Sequence, residues 1–81
     1  MENQTLRIDD IYVPTKRRGE IRPDTVAALA ESILAEGQKL PITVRRDGDR
    51  LVLIEGLHRL EACKALGEAT ITGVIVGSRK F

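Results

Sequence analysis

The chain has 81 residues, enough for one small domain, and its 13 Lys and Arg against 12 Asp and Glu leave a formal net charge of +1. That balance gives no bulk electrostatic case for nucleic acid, and with only Tyr12 and Phe81 as aromatics there is no stacking platform for a single strand. A single cysteine, Cys63, and a single histidine, His58, exclude a disulfide framework and a Cys/His zinc centre, and no metal site is expected.

No apolar run approaches the ~20 residues of a membrane span, and the first ten residues, MENQTLRIDD, lack the apolar segment of a signal peptide. The expected setting is the cytoplasm, without a membrane partner.

Residues 1–5 are expected to be a flexible start. Leu6-Arg7-Ile8-Asp9 alternates apolar and polar, and Ile11-Tyr12-Val13 follows, which predicts one strand or extended segment before Pro14. Thr15 to Arg22 carries Lys16, Arg17, Arg18 and Arg22 against Glu20, with Pro14 and Gly19 favouring a loop. It reads either as a solvated basic loop or as a second clamp on a phosphate.

Pro23-Asp24-Thr25 predicts a helix start. Val26, Leu29, Ala30, Ile33 and Leu34 then recur at the spacing of one apolar face, which is expected to be core, and Gly37 ends the helix. Pro41 suits the start of a strand, in which Ile42 and Val44 alternate with Thr43 and Arg45. Asp47-Gly48 within the polar stretch 46–50 predicts a hairpin, with Leu51 to Ile54 returning antiparallel.

Glu55-Gly56-Leu57-His58-Arg59 then turns the chain into a second helix, about Leu57 to Leu66, whose inner face is expected to hold Leu60, Cys63 and Leu66 flanked by Ala62 and Ala65. Ala69 to Val76 predicts a last strand rich in β-branched residues, and 77–81 a flexible tail. The pattern strand, helix, hairpin, helix, strand is that of a single α+β domain over 1–81, a small mixed sheet with two packed helices in the order β-α-β-β-α-β.

The turn at Gly56 carries the chemistry. The first N–H groups of a helix have no partner within it, and the helix dipole adds partial positive charge there. A glycine admits an anion close to the backbone, and a protonatable His58 and permanently charged Arg59 beside it suit a phosphate or carboxylate. The plainer alternatives are a surface histidine and an Arg59 paired with Glu55 or Glu61.

Over roughly residues 6–76 the chain resembles the ParB/sulfiredoxin superfamily. Ala27–Gly37, AALAESILAEG, resembles the family's "LaeSI…G" helix. Leu40-Pro41-Ile42-Thr43-Val44-Arg45 resembles its "QPIvVR" strand. Leu53 to Ala62, LIEGLHRLEA, resembles "lIaGERRlrAa". The resemblance implies a nucleotide or phosphate pocket at the glycine turn, taking CTP as in ParB or ATP as in sulfiredoxin, with magnesium left open. The implied binding set is Gly56, Leu57, His58, Arg59 and Pro41, with Lys16, Arg17 and Arg18 as the second clamp.

His58 and Arg59 match the sulfiredoxin motif Gly-Cys-His-Arg, but Leu57 stands where its nucleophilic cysteine would be, which argues against sulfinic-acid reductase activity. Leu57 also replaces the acidic residue of ParB's Gly-Glu-Arg-Arg. The family's metal and triphosphate contacts beyond the last strand, its helix-turn-helix reader and its dimerisation domain find no counterpart in these 81 residues.

Three functions follow. The first is a ParB-like nucleotide- or phosphate-binding module. The second is an NTPase or phosphotransferase of the same fold, such as the superfamily's free-serine kinases, with His58, Glu55 or Glu20 as acid–base groups. The third is a DNA- or protein-binding accessory domain with a degenerate pocket, in plasmid partition or transcription.

Overall fold

The computed structural model describes residues 2–77. Five strands form one mixed sheet: β1 (Gln4–Arg7), β2 (Ile11–Tyr12), β3 (Ile42–Asp47), β4 (Arg50–Glu55) and β5 (Thr70–Val76). Three helices accompany them, α1 (Thr15–Arg18), α2 (Pro23–Glu36) and α3 (Leu57–Ala65). The strand order is β1-β5-β3-β4-β2, with β1–β5 and β3–β4 antiparallel and β3–β5 and β2–β4 parallel. This is the α+β fold expected, with one strand and one short helix added.

The hairpin forms where the sequence puts it. Ile42 and Val44 are buried while Thr43 is half-buried and Arg45 exposed, the alternation of a half-covered strand. Gly48 and Asp49 make a two-residue turn with Gly48 at φ +62°, the type II′ pattern. Arg50 closes it, reaching Asp47 at 3.5 Å and lying 4.2 Å over the Tyr12 ring on the neighbouring edge strand. Leu57, Leu60 and Cys63 of α3 join Leu6, Ile8, Ile11, Val13, Ile42, Val44, Leu51, Leu53 and Ile71 in the core.

Several expectations change. Gln4 and Thr5 are paired with Gly73 and Thr72, so the start is ordered two residues earlier than a flexible 1–5 allows. Residue 1 and residues 78–81 lie outside the described residues. The single extended segment over 6–13 is two strands, because a 3-10 turn over Ile8–Asp10 separates them. The basic stretch after Pro14 is not all loop: its first four residues wind into α1, with the Arg17 N–H on the Pro14 carbonyl at 2.9 Å.

The apolar face of α2 is not core. No residue of this helix is fully buried, and Leu34 is 77% exposed. The reason is geometric: α2 packs chiefly against α3 rather than the sheet, so its stripe is half-covered and only Ile33 reaches the core. On α3, Ala62 is buried as expected, whereas Ala65 is exposed and Leu66 half-buried, since the helix ends there.

Candidate functional site

The site is built at the end of β4. Gly56 is the residue before α3 and sits at φ +104°, ψ 28°, a left-handed conformation that suits glycine. A Cβ there would lie 2.6 Å from Ile42 Cγ2. Ile42 of the neighbouring strand fills the side on which a Cβ would stand, so the position is closed to any side chain. The Gly56 carbonyl accepts the Leu60 N–H at 2.8 Å, closing the first helical turn. Among the described residues no side chain caps α3 and no acidic residue stands in its first turn, so the N–H groups of Leu57, His58 and Arg59 have no capping partner.

The side chains of that turn diverge. Leu57 is 3% exposed and belongs to the core, leaving only its N–H for a ligand. His58 turns to the start of α2, where its Nε2 accepts the backbone N–H of Arg22 at 3.0 Å. The imidazole in this arrangement carries its hydrogen on Nδ1. Arg59, half-buried, lines a cavity of about 270 Å³ with Leu29, Ser32, Ile33, Lys39 and Leu40. Among the described residues it makes no hydrogen bond or ion pair. Glu61, one of its two alternative partners, is held by Lys64 at 3.3 Å. Its electrostatic neighbour is Cys63, whose thiol is pushed up first by burial and then by Glu68, and pulled down by Arg59.

The basic segment is divided as well. The Arg17 guanidinium donates to the Ile54 carbonyl at the end of β4 and pairs with Glu20 at 3.5 Å. Arg18 lines a different cavity, with Tyr12, Ile21 and Glu61, and Lys16 is exposed on α1. Pro41 is half-buried just ahead of β3. Of the expected residues, Gly56, His58, Arg59 and Arg17 therefore gather around the start of α3, but not on one guest.

The sequence reading missed Ser32, Lys39 and Gln38. Leu29, Ser32 and Ile33 share one helix face, so a hydroxyl interrupting the apolar stripe was the available signal. Lys39, ion-paired with Glu36, adds a second cation to the cavity. Gln38 ties the segment ahead of β3 to β5: its Nε2 donates to the Leu40 and Thr72 carbonyls, both at 2.8 Å, and its Oε1 accepts the Thr72 N–H at 2.9 Å. That amide takes the place of a β3 residue just before the β3–β5 ladder begins at Ile42 and Gly73. No group of three His, Cys, Asp or Glu side chains among the described residues is placed to hold a metal ion. No described helix is long and apolar enough to cross a membrane.

The family model for the ParB N-terminal domain matches residues 1–80. Comparison with the curated proteins gives no match. Among solved structures, sulfiredoxin from Arabidopsis thaliana is similar at TM-score 0.88 and 28% identity, over 96% of this chain and 88% of that one. The chromosome-partitioning protein ParB from Caulobacter crescentus, C-terminally truncated and complexed with CTP-gamma-S, is similar at TM-score 0.83 and 20% identity, over 99% of this chain and 47% of that one. A free serine kinase in complex with ADP is similar at TM-score 0.80 and 18% identity, over 94% of this chain and 31% of that one. At such identities the last two show a shared fold, and the chain spans less than half of each.

Proposed function

The chain belongs to the ParB N-terminal domain family, and on that premise we propose that it is a cytoplasmic nucleotide- or phosphate-binding module whose anion sits against Arg59 at the start of α3. The observation that carries this reading is the state of Arg59: a half-buried guanidinium lining a cavity, with no hydrogen bond or ion pair from the described residues. A half-buried guanidinium with no protein partner keeps its donors available, and an anionic ligand bound there makes the charge-assisted bonds it lacks. The uncapped N–H groups of α3 supply further donors, and Ser32 and Lys39 line the same cavity as Arg59. Charge-assisted bonds of this kind contribute about 1.5–3 kcal/mol each. The fold neighbours solved with CTP-gamma-S and with ADP lend the nucleotide support from outside the chain.

Binding is favoured over catalysis by the same geometry. Glu20 is paired with Arg17 and the His58 Nε2 is occupied by Arg22, so two of the three acid–base candidates are engaged elsewhere. The module would serve plasmid partition or transcription.

Titration calorimetry with CTP, ATP and ADP, with and without magnesium, tests the proposal. Heat is expected with the wild-type chain and at least a tenfold loss of affinity in Arg59→Ala, with an unchanged unfolding midpoint. No heat with any nucleotide overturns it.

A further inference from the structure

A second groove runs between α2 and α3 and shares no lining residue with the Arg59 cavity. We infer that it docks a partner protein through one amphipathic helix, whose cations lie along one side of its apolar stripe.

The groove is apolar. Ile21, Pro23, Val26, Ala27 and Ala30 line it from one side and Ala65 from α3, around a volume of about 560 Å³. Pro23, Ala27, Ala30 and Leu34 follow at i, i+4, i+7 and i+11, so they form one stripe along α2. Ala27 is exposed, and Leu34 at the far end of the stripe is 77% exposed. The stripe covers three helical turns, about 17 Å at 1.5 Å per residue, the reach of a helix laid in a groove. Alanine at 27, 30 and 65 lets a third helix settle at the near end of the usual interaxial range of about 8–10 Å.

Charge selects the occupant. Beside the stripe, on the flank away from Val26 and Ile33, α2 carries Asp24 and Glu31 two turns apart on one line. Neither is ion-paired among the described residues. The α3 wall adds no net charge, since its Lys64 is held by Glu61 at 3.3 Å. Arg22 stands ahead of the row, before Pro23. A second copy of the chain is disfavoured by the same carboxylates: an antiparallel pair of α2 helices sets the acidic row of one along that of the other. Lysines or arginines on one flank of the guest turn that repulsion into attraction.

The test uses the full chain and two synthetic helices as long as α2, both with leucines along one stripe, one flanked by lysines and the other by glutamates. In a nitrogen–proton NMR titration the lysine peptide is expected to shift the amides of Val26, Ala27, Ala30 and Ala65, and to bind at least about tenfold more tightly than the glutamate peptide. Glu31→Lys is expected to cut that advantage to about threefold or less. Ala27→Trp, which fills the groove from an exposed position, is expected to abolish binding with an unchanged unfolding midpoint. Equal binding of the two peptides, shifts centred away from the groove, or no binding by either overturns the inference. A dimer in sedimentation equilibrium that Ala27→Trp disperses overturns it as well, since the occupant is then a second copy.

Discussion

The imidazole Nε2 of His58 accepts the backbone N–H of Arg22 at 3.0 Å, so a side chain from the first turn of α3 fastens the start of α2. The two residues are 36 positions apart in sequence, and the bond ties together two helix N-termini that have no side-chain cap of their own.

Replacing that histidine should therefore be felt in the packing of α2 before it is felt in any ligand. His58→Ala is expected to cost about 1 kcal/mol, the net worth of one hydrogen bond, read as a lower denaturant midpoint. Long-range nitrogen–proton NMR correlation of the wild-type ring should show the hydrogen on Nδ1. A hydrogen on Nε2 would contradict the Arg22 bond.

Gly56→Ala should be among the most damaging single-methyl changes in the chain. It forces alanine to φ +104° and drives a Cβ to 2.6 Å from Ile42 Cγ2. Strain and overpacking together are expected to cost about 2–4 kcal/mol. Ile42→Ala in the same chain should not rescue it, because Ile42 Cβ, at 2.9 Å, remains.

Gln38→Glu should be worse than Gln38→Ala. The glutamate loses the amide donor and sets a carboxylate against the carbonyls of Thr72 and Leu40, whereas alanine only leaves them to water. Hydrogen exchange at the Thr72 amide, which donates to Gln38 Oε1, should speed up most in Gln38→Ala, since a glutamate oxygen can still accept that N–H.

Arg17→Leu separates structure from binding. The guanidinium is engaged by the Ile54 carbonyl and Glu20, so its loss is expected to lower stability by about 1 kcal/mol, after allowance for partial exposure. Nucleotide affinity should stay within about threefold of wild type. A loss as large as that of Arg59→Ala would show that the segment 16–18 does clamp the ligand.

Cys63 gives a pH test. Burial, then Glu68, raise its thiol above the ordinary 9.0, against the opposing pull of Arg59. The folded state thus holds the thiol proton more tightly than the unfolded one. Its contribution to stability is fully present below about pH 9 and is lost as pH rises beyond that through the folded value. A disulfide reagent at neutral pH should react slowly with the native chain and quickly after unfolding.

The hairpin and α3 were legible because short-range chemistry fixes them: Ile42 and Val44 alternate, Asp47-Gly48 turns, and Leu57, Leu60 and Cys63 repeat at helical spacing. The split of the first extended segment was not, since Ile8 is buried in the 3-10 turn as it would be in a strand. The half-covered state of α2 depends on which neighbour it meets, and the periodicity of Val26, Leu29 and Ile33 is the same against a helix or a sheet. At the site, the type and position of Arg59 were readable. Its separation from His58 was not, because consecutive helical residues point about 100° apart and the two partners, Arg22 and the Ser32 cavity, come from distant parts of α2.

The strand order has a consequence for how the molecule is made. Among the described residues β1, which precedes the other strands in the chain, has β5 as its one lateral partner, and β5 also completes the flank of β3. During synthesis the hairpin and α3 can assemble while Gln4 to Arg7 wait, their amides bare, for residues 70–76 to emerge. The sheet is thus zipped shut last by contacts spanning nearly the whole chain, and a ribosome stalled before Thr70 would present a nascent protein with two open edges.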